Sequence, residues 1–310
     1  MSGLSGGTSL HWGGVYVVGH YAYIGEGSAL TVLDVSNPTR PVVLGRVDNC
    51  GGWVQVRNGL ACTAGGIHGF KIADVTNPSS PTLRGSYPKY AVGVFVSGTS
   101  AYIASADDGL LIVDVTNPSS PTLLGSYDTP FAASDVSVSG DMAYVVDGTS
   151  LQIIDVANPS SPVLRSSYPT ASWGYAWNGF VSDRVAYVTA SRGGFTGEPA
   201  YATFLAIDVA NPAAPKLLSQ YVTAGRGGGV FVSHGFAYVM LGQGLHIFDI
   251  RNPSSPTLCG FYPLDPGSPG DARLFVSGDL VYVMLDRLGL HILQFTGRPA
   301  EASRHWPLYR

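Results

Sequence analysis

One five-residue motif, Asp-Val-x-Asn-Pro, recurs along the chain at a nearly constant interval. The successive starts lie 40, 40, 41, 53 and 41 residues apart, and the last copy is the variant Asp-Ile-Arg-Asn-Pro. Asp-Val-x-Asn-Pro or its variant begins at Asp34, Asp74, Asp114, Asp155, Asp208 and Asp249. A seventh copy at residues 289–295 carries Gln294 in place of the Asp. A period of about 40–45 residues is typical of propeller blades, so the repeats predict seven blades.

Each copy contains four short segments with the alternation of β-strands. In the third copy they are residues 94–97, 101–104, 110–115 and 122–127, separated by Gly-, Asp- or Pro-containing turns. A solenoid would need polar capping copies at its ends, but the end copies look like the middle ones. The sequence therefore predicts an all-β protein, a seven-bladed β-propeller with four antiparallel strands in each blade.

Composition agrees with this fold and excludes several classes of partner. The chain has 40 Gly and 21 Pro, and its 21 acidic residues include only three Glu, a balance that favours turns over helices. A net charge of −4 argues against nucleic acid, which needs a dense Lys and Arg stripe. Charges or glycines interrupt every apolar run, so we expect no membrane partner.

The cysteines and the N-terminus bear on the compartment. Three cysteines are too few for a disulfide scaffold. The first residues lack the basic and apolar regions of a signal peptide. Cytoplasmic residence is the simplest expectation, and a mature secreted form stays open.

The third strand of several copies carries the motif Leu-x-Ile-[Ile/Val]-Asp-Val, most clearly at residues 110–115 and 151–156, with a close copy at 30–35. In this motif and its fixed period the chain resembles the LVIVD-repeat family of β-propellers over nearly its whole length. The resemblance implies the fold and carries no shared activity. Gln294 and the copy at residues 70–75 depart from the pattern.

The copies predict one domain, residues 1–310. Its blades are expected at about 13–47, 48–87, 88–127, 128–168, 169–221, 222–262 and 263–310. The outer strand of the seventh blade has two possible sources. The tail aligns with residues 252–261 and favours residues 302–306, whereas residues 3–10 are the alternative.

The recurring Asp and Tyr residues are interpreted as structural. An Asp at a strand end can accept hydrogen bonds from turn amides, and the following Pro ends the ladder because it has no N–H. A Tyr recurs at one position of the second strand and is expected to pack between blades. Its copies are Tyr23, Tyr102, Tyr144, Tyr187, Tyr238 and Tyr282.

Function is expected where the copies differ, in the loops of one face. The connections from fourth to first strand and from second to third strand emerge together around the channel, on what we call the upper face. In or next to these connections lie the candidate binding residues Trp12, Trp53, Tyr90, Phe131, Trp173, Tyr175, Trp177, Asn178, Arg192, Arg226, Asp271, Glu26 and Asp286. Aromatic groups with a few polar ones are typical of ligand sites. Plugging of the channel by these rings is the alternative.

The candidate catalytic residues are Asp135, His68 and Arg273. Asp135, Asn178 and Arg273 align just before the alternating Val of their first strands, which places them near the channel wall. An Asp facing an Arg can orient a carboxylate or act as a general base, and a structural ion pair is the equal alternative. No histidine has a second ligand at metal-site spacing, so neither a metal site nor a cofactor is expected, and the presence of an ion in the channel stays open. An insertion in the fifth copy, residues 191–202, belongs to the same face.

Two functions follow. The first is a binding scaffold that presents its upper loop face and channel mouth to a small ligand or a partner protein. The alternative is an enzyme acting on a small organic molecule, anionic or aromatic, in the mouth, with Asp135 or His68 as the acid–base group and Arg226 or Arg273 as the anchor. The sequence does not give the oligomeric state.

Overall fold

The computed structural model describes residues 13–193, 199–264, 272–285 and 289–296. These ranges contain 27 strands and one 3-10 turn, Ala171–Trp173, and no helix long and apolar enough to cross a membrane. Trp12, Asp271, Asp286 and both segments expected to complete the seventh blade lie outside them.

The strands fall into seven sheets, one for each blade. Blade 1 has β1 (Gly14–Val18), β2 (Tyr21–Glu26), β3 (Ala29–Asp34) and β4 (Val42–Asp48). Blade 2 has β5 (Trp53–Arg57), β6 (Leu60–Ala64), β7 (Phe70–Asp74) and β8 (Thr82–Tyr87). Blade 3 has β9 (Gly93–Ser97), β10 (Ser100–Ser105), β11 (Gly109–Asp114) and β12 (Thr122–Tyr127). Blade 4 has β13 (Asp135–Ser139), β14 (Met142–Val146), β15 (Ser150–Asp155) and β16 (Val163–Pro169).

The last three blades follow the same order. Blade 5 has β17 (Tyr175–Ser182), β18 (Val185–Arg192), β19 (Tyr201–Asp208) and β20 (Lys216–Ala224). Blade 6 has β21 (Arg226–Ser233), β22 (Phe236–Gly242), β23 (Gly244–Asp249) and β24 (Thr257–Pro263). Blade 7 has β25 (Arg273–Ser277), β26 (Leu280–Leu285) and β27 (Gly289–Gln294) within the described residues.

Each sheet is an antiparallel meander in chain order, and the first strand of every blade lies innermost. Consecutive inner strands pack against each other around the ring, from β1 to β5 and on to β25, and β25 packs against β1. The contact between first and last blade closes the ring. The prediction of a seven-bladed β-propeller of antiparallel, four-stranded blades is confirmed.

The hydrophobic core is divided into seven clusters, one at each junction between blades. Tyr144 of blade 4, for example, packs with Ala176, Val188 and Leu205 of blade 5. Tyr282 of blade 7 packs with residues of blade 1 in the same way. All six repeated tyrosines are buried in such clusters, so the predicted packing between blades is confirmed.

The outer turns explain the repeated Asp and Asn. In blade 3 the Asp114 carboxylate accepts the Thr116 N–H at 2.8 Å, and the Asn117 side-chain oxygen accepts the Ser119 N–H at 3.2 Å. The same pair of bonds recurs in the other five copies. The predicted role of the repeated Asp in accepting turn amides is confirmed.

Neighbouring blades also meet at these turns. A Cβ placed on Gly85 in β8 would lie 2.2 Å from the Pro118 carbonyl oxygen of blade 3, so no side chain fits there. Gly45 and Gly125 make the same close approach to the blades that follow them. Blade 4 instead has Ser166, whose hydroxyl donates to the Pro212 carbonyl at 2.5 Å. Ser219 of blade 5 likewise donates to a proline carbonyl, at 2.7 Å.

Candidate functional site

The inner strands present two rings of equivalent residues to the channel. Strand registers define the lower ring as the residues paired with the repeated Tyr position of the second strand. This pore layer comprises Tyr16, Gln55, Phe95, Ser137, Phe180, Phe231 and Phe275. The residues two positions earlier form the upper collar, which comprises Gly14, Trp53, Gly93, Asp135, Asn178, Gly229 and Arg273.

Aromatic side chains dominate the pore layer and touch one another. The ring centroids of Phe231 lie 4.9 Å from those of Phe180 and Phe275, and Tyr16 lies 4.5 Å from Phe275. Interplanar angles between 47° and 55° leave parts of the ring faces uncovered. The pore layer therefore fills much of the channel cross-section below the collar.

A cavity of about 70 Å³ lies between collar and pore layer. All seven pore-layer residues line it, together with Trp53, Asp135 and Asn178. Because a water occupies about 30 Å³ in the liquid, the cavity has room for a few water-sized groups. It is well below the several hundred Å³ of pockets that enclose drug-sized ligands.

Asp135 begins β13 and is almost completely buried, with 3% of its surface exposed. Its Oδ2 accepts hydrogen bonds from Asn178 Nδ2 at 2.5 Å and from the Gly179 N–H at 3.0 Å. Burial raises the pKa of Asp135 to about 6, although Arg273 and the backbone N–H groups of Gly179 and Val136 act in the opposite direction. A carboxyl group with such a pKa can change its protonation state near physiological pH.

The side chain of Arg273 reaches across blade 1. Its guanidinium carbon lies 4.6 Å from the centre of the Trp53 ring, a cation–π contact. Gly14, between them in the ring, has no side chain to stand in the way. Trp53 in turn donates from Nε1 to the Val94 carbonyl of blade 3 at 3.0 Å. This contact places the Arg273 charge beside Trp53 in the collar.

Blades 5 and 6 differ from the others at the collar because their inner strands carry β-bulges. In β17 the register shifts between Ala176 and Asn178, so Trp177 is an extra residue. In β21 it shifts between Gly227 and Val230. The Val230 N–H then donates to Asn178 Oδ1 at 2.8 Å. Asn178 thereby links the Asp135 carboxylate of blade 4 to the backbone of blade 6.

The structure therefore brings together four of the predicted residues, Trp53, Asp135, Asn178 and Arg273. Tyr175 and Trp177 lie on the rim of blade 5, with ring centroids 4.5 Å apart. Trp173 lies farther out, where its Nε1 donates to Gln220 of the outer strand β20 and its ring stacks on Tyr168.

The remaining described candidates lie on the upper face without joining the collar. They are exposed side chains of loops and strand ends and do not line the cavity: Glu26, His68, Tyr90, Phe131, Arg192 and Arg226. His68 is thus not brought next to Asp135 as a partner in acid–base chemistry. The described residues contain no group of three or more His, Cys, Asp or Glu side chains that could hold a metal ion.

Sequence reasoning missed the pore layer. A signal was present, because Val-Tyr-Val, Val-Phe-Val or Leu-Phe-Val in four inner strands places an aromatic residue between two buried or partly buried aliphatic ones. Alternation along a strand sends those aromatics to the opposite side from the aliphatics, and in the innermost strand that side is the channel.

Comparisons with known proteins agree with the fold. A family model described as LVIVD repeat matches residues 12–49, 53–89, 88–129, 132–170, 200–223 and 224–263. Comparison with curated proteins gave no match.

Similar solved structures include the computationally designed Ika8 protein, at 10% identity and a TM-score of 0.61, over 94% of this chain and 98% of that chain. A functionally unknown protein from Desulfotomaculum acetoxidans DSM 771 is 10% identical with a TM-score of 0.69, over 94% of both chains. A chain in the S. cerevisiae complex of Dbp5 with Nup159, Gle1, IP6 and ADP is 12% identical with a TM-score of 0.57, over 88% of this chain and 85% of that one. At these identities the likeness shows the fold alone.

Proposed function

The chain belongs to the LVIVD-repeat family of β-propellers, and we propose that it is a binding scaffold whose upper loop face and channel mouth receive a small ligand or a partner protein. The observation that carries the proposal is the variety of the upper collar. Seven equivalent positions hold Gly, Trp, Asp, Asn and Arg, whereas the outer turns repeat one Asp and one Asn. Positions that only maintain the ring can all hold the same residue type, so the variety of residue types in the collar favours a specialised binding site.

The upper face adds apolar contact area to the collar. Ile67 in the turn between β6 and β7 has 82% of its surface exposed, and Phe131 before β13 has 55%. Tyr90 is exposed as well, and its hydroxyl lies near Gly66 in the same turn as Ile67. Exposed aromatic and aliphatic side chains of this kind are typical of protein interfaces. They support a partner protein as one form of ligand.

A ligand screen by thermal unfolding tests this proposal. The purified protein is screened against small metabolites, beside Trp53→Phe and the outer-turn control Ser119→Ala. Trp53→Phe removes the Nε1 donor at the mouth and keeps an aromatic ring, and Ser119 is an exposed residue of an outer turn. Compounds that raise the Tm of the protein and of Ser119→Ala, but raise that of Trp53→Phe much less, are the expected result. If every stabilising compound acted equally on all three proteins, the mouth would not be the binding site.

The enzyme alternative is supported by one observation, the pKa of about 6 for a buried carboxyl that lines a cavity. Such a group can act as a general acid or base near neutral pH. The test is turnover of chromogenic ester and amide substrates by the protein and by Asp135→Asn. Turnover that falls at least about a hundredfold in Asp135→Asn would favour the enzyme, in line with the usual contribution of such a group. Equal rates in both proteins would leave the binding scaffold.

A further inference from the structure

We infer that the pore cavity binds a primary ammonium group, held between the Asp135 carboxylate and the aromatic side chains around it. The inference rests on the proposed function, because it names the chemistry of a ligand for the same mouth. The group can be the head of a small free amine or the end of a lysine side chain of a partner protein.

The wall of the pore cavity has an acidic side chain. Among the described residues that line it, Asp135 is the only one with a charged side chain. Its Oδ2 takes the hydrogen bonds from Asn178 and Gly179. Its Oδ1 lies beside Gly93, 3.0 Å from where a Cβ on that glycine would be. An ammonium group, which has three donors and no acceptor, is complementary to such a carboxylate oxygen.

Arg273 only partly compensates the negative charge of the Asp135 carboxylate. None of the ion pairs formed by the described residues includes Asp135. The guanidinium lies over Trp53 instead, and its effect on the pKa of Asp135 is smaller than that of burial. A buried carboxylate of this kind gains from a cation in direct contact, since a buried charge is costly unless it is paired.

The cavity also fits the rest of an alkylammonium group. The cavity of about 70 Å³ has room for a –CH₂–NH₃⁺ end but not for a large organic molecule. Aromatic side chains surround it, and their ring faces attract cations. Phe95, Phe180, Phe231 and Phe275 retain some exposure despite facing the channel, so solvent reaches them. They can also cover the apolar stem of an alkylammonium.

The charged and titratable groups around Asp135 are few. Tyr16 lines the same cavity, and Arg273 acts from blade 7. The neighbouring inner strands present Gly93 and Asn178, which do not titrate. Binding of an ammonium therefore depends mainly on the protonation state of Asp135.

Isothermal titration calorimetry with two probes tests the inference. Methylammonium chloride stands for a free amine, and Nα-acetyl-lysine methylamide for a lysine side chain, with sodium acetate and sodium chloride as controls. Each is titrated into the protein, into Asp135→Asn, and into Asp128→Asn, which removes the same charge from an exposed upper-face position. We expect saturable binding of an ammonium probe, weakened at least tenfold in Asp135→Asn and unchanged in Asp128→Asn. Tighter binding of the lysine derivative identifies a partner's side chain as the source, and tighter binding of methylammonium a free amine.

A pH series keeps the test decisive if Asp135→Asn does not fold. For the unsubstituted protein, affinity for the better probe should be constant above about pH 6 and fall about tenfold for each pH unit below it, as Asp135 takes up a proton. Absence of saturable binding by both probes, or binding that neither Asp135→Asn nor acid weakens, would overturn the inference. Should the amines fail while metabolites still depend on Trp53, the ammonium site alone is wrong and the proposed function stands.

Discussion

At the outer turns of six blades the same two side chains form the same two hydrogen bonds, whereas the seven collar positions hold five residue types. Both regions belong to the same repeats and the same sheets. Each of these outer turns closes its own blade, and those of blades 2 to 6 contact the preceding one, so the same two residue types serve at every such turn. Collar side chains instead contact collar side chains of other blades, as Arg273 contacts Trp53 and Asn178 contacts Asp135, so their neighbours differ. The repeated outer-turn residues are therefore those that every blade needs in order to fold, and the varied collar residues are those that are specific to this ring.

The largest effect is expected at the collar, from Asn178→Ala. The substitution removes the donor to Asp135 Oδ2 and the acceptor for the Val230 N–H, in a residue with 2% of its surface exposed. The buried Val230 N–H loses its side-chain acceptor and Asp135 Oδ2 keeps only the Gly179 N–H, which should lower the free energy of unfolding by about 3–4 kcal/mol. Chemical denaturation measures the change. A loss no larger than that of an outer-turn Asn→Ala variant would contradict the distinction between the two regions.

The next effect concerns pH. Burial raises the pKa of Asp135 to about 6 in the folded protein, above the ordinary 3.8, so the folded state holds this proton more tightly than the unfolded chain. Protonation of Asp135 therefore stabilises the fold at low pH, and this stabilisation is lost as pH rises from about 4 through 6. It should amount to about 2–3 kcal/mol. Asp135→Asn removes it.

The measurement is the free energy of unfolding of both proteins at pH 4, 5, 6 and 7. Other carboxyl groups titrate in both proteins and cancel in the difference. Several outer-turn aspartates act in the opposite direction, because hydrogen bonds lower the pKa of Asp74 and Asp114. A difference between the two proteins that stays constant with pH would show that Asp135 does not titrate in this range.

The smallest effect is expected at the outer turns. Asn77→Ala and Asn117→Ala each remove one exposed hydrogen bond, to the Ser79 and Ser119 N–H groups, both at 3.2 Å. Each should lower the free energy of unfolding by about 0.5–1 kcal/mol, and the double variant by the sum. Thermal and chemical denaturation of the three variants check this. Unequal changes in the free energy of unfolding for the two single variants would mean that the two turns contribute differently to stability although their hydrogen bonds are alike.

The same comparison explains how much could be predicted from the sequence. Repeated positions were predictable, because equivalent residues in several copies share one environment and each copy supports the same assignment. This holds for the blades, for the buried Tyr144 and for Asp114 in its outer turn. The position of Asp135 and Arg273 near the channel wall followed from aligning them with the inner strands. These predictions all rest on periodicity.

The remaining features of the site depend on contacts that are not repeated from blade to blade. The bulge that makes Trp177 an extra residue lies next to Asn178, which bonds to blades 4 and 6, and no Gly or Pro in β17 before Asn178 marks it in the sequence. Trp173 was expected at the channel mouth, but the 3-10 turn before β17 and the bond to Gln220 hold it near the outer strands. The cation–π contact of Arg273 spans blades 7 and 2, which are neighbours of blade 1 rather than of each other.

The outer strands of blades 1 to 5 contact the turn of the following blade through a glycine or a serine, and this contact bears on the duplication of a blade. A second copy of blade 2 inserted after the first would present Gly85 to the Pro78 carbonyl, the contact that Gly45 already makes. A second copy of blade 4 would present Ser166 to the Pro159 carbonyl, where a Cβ on Gly125 would lie only 2.4 Å away. Duplication of blade 2 would therefore reuse a glycine contact that the ring already contains, whereas duplication of blade 4 would place a serine opposite a turn that faces a glycine in this ring.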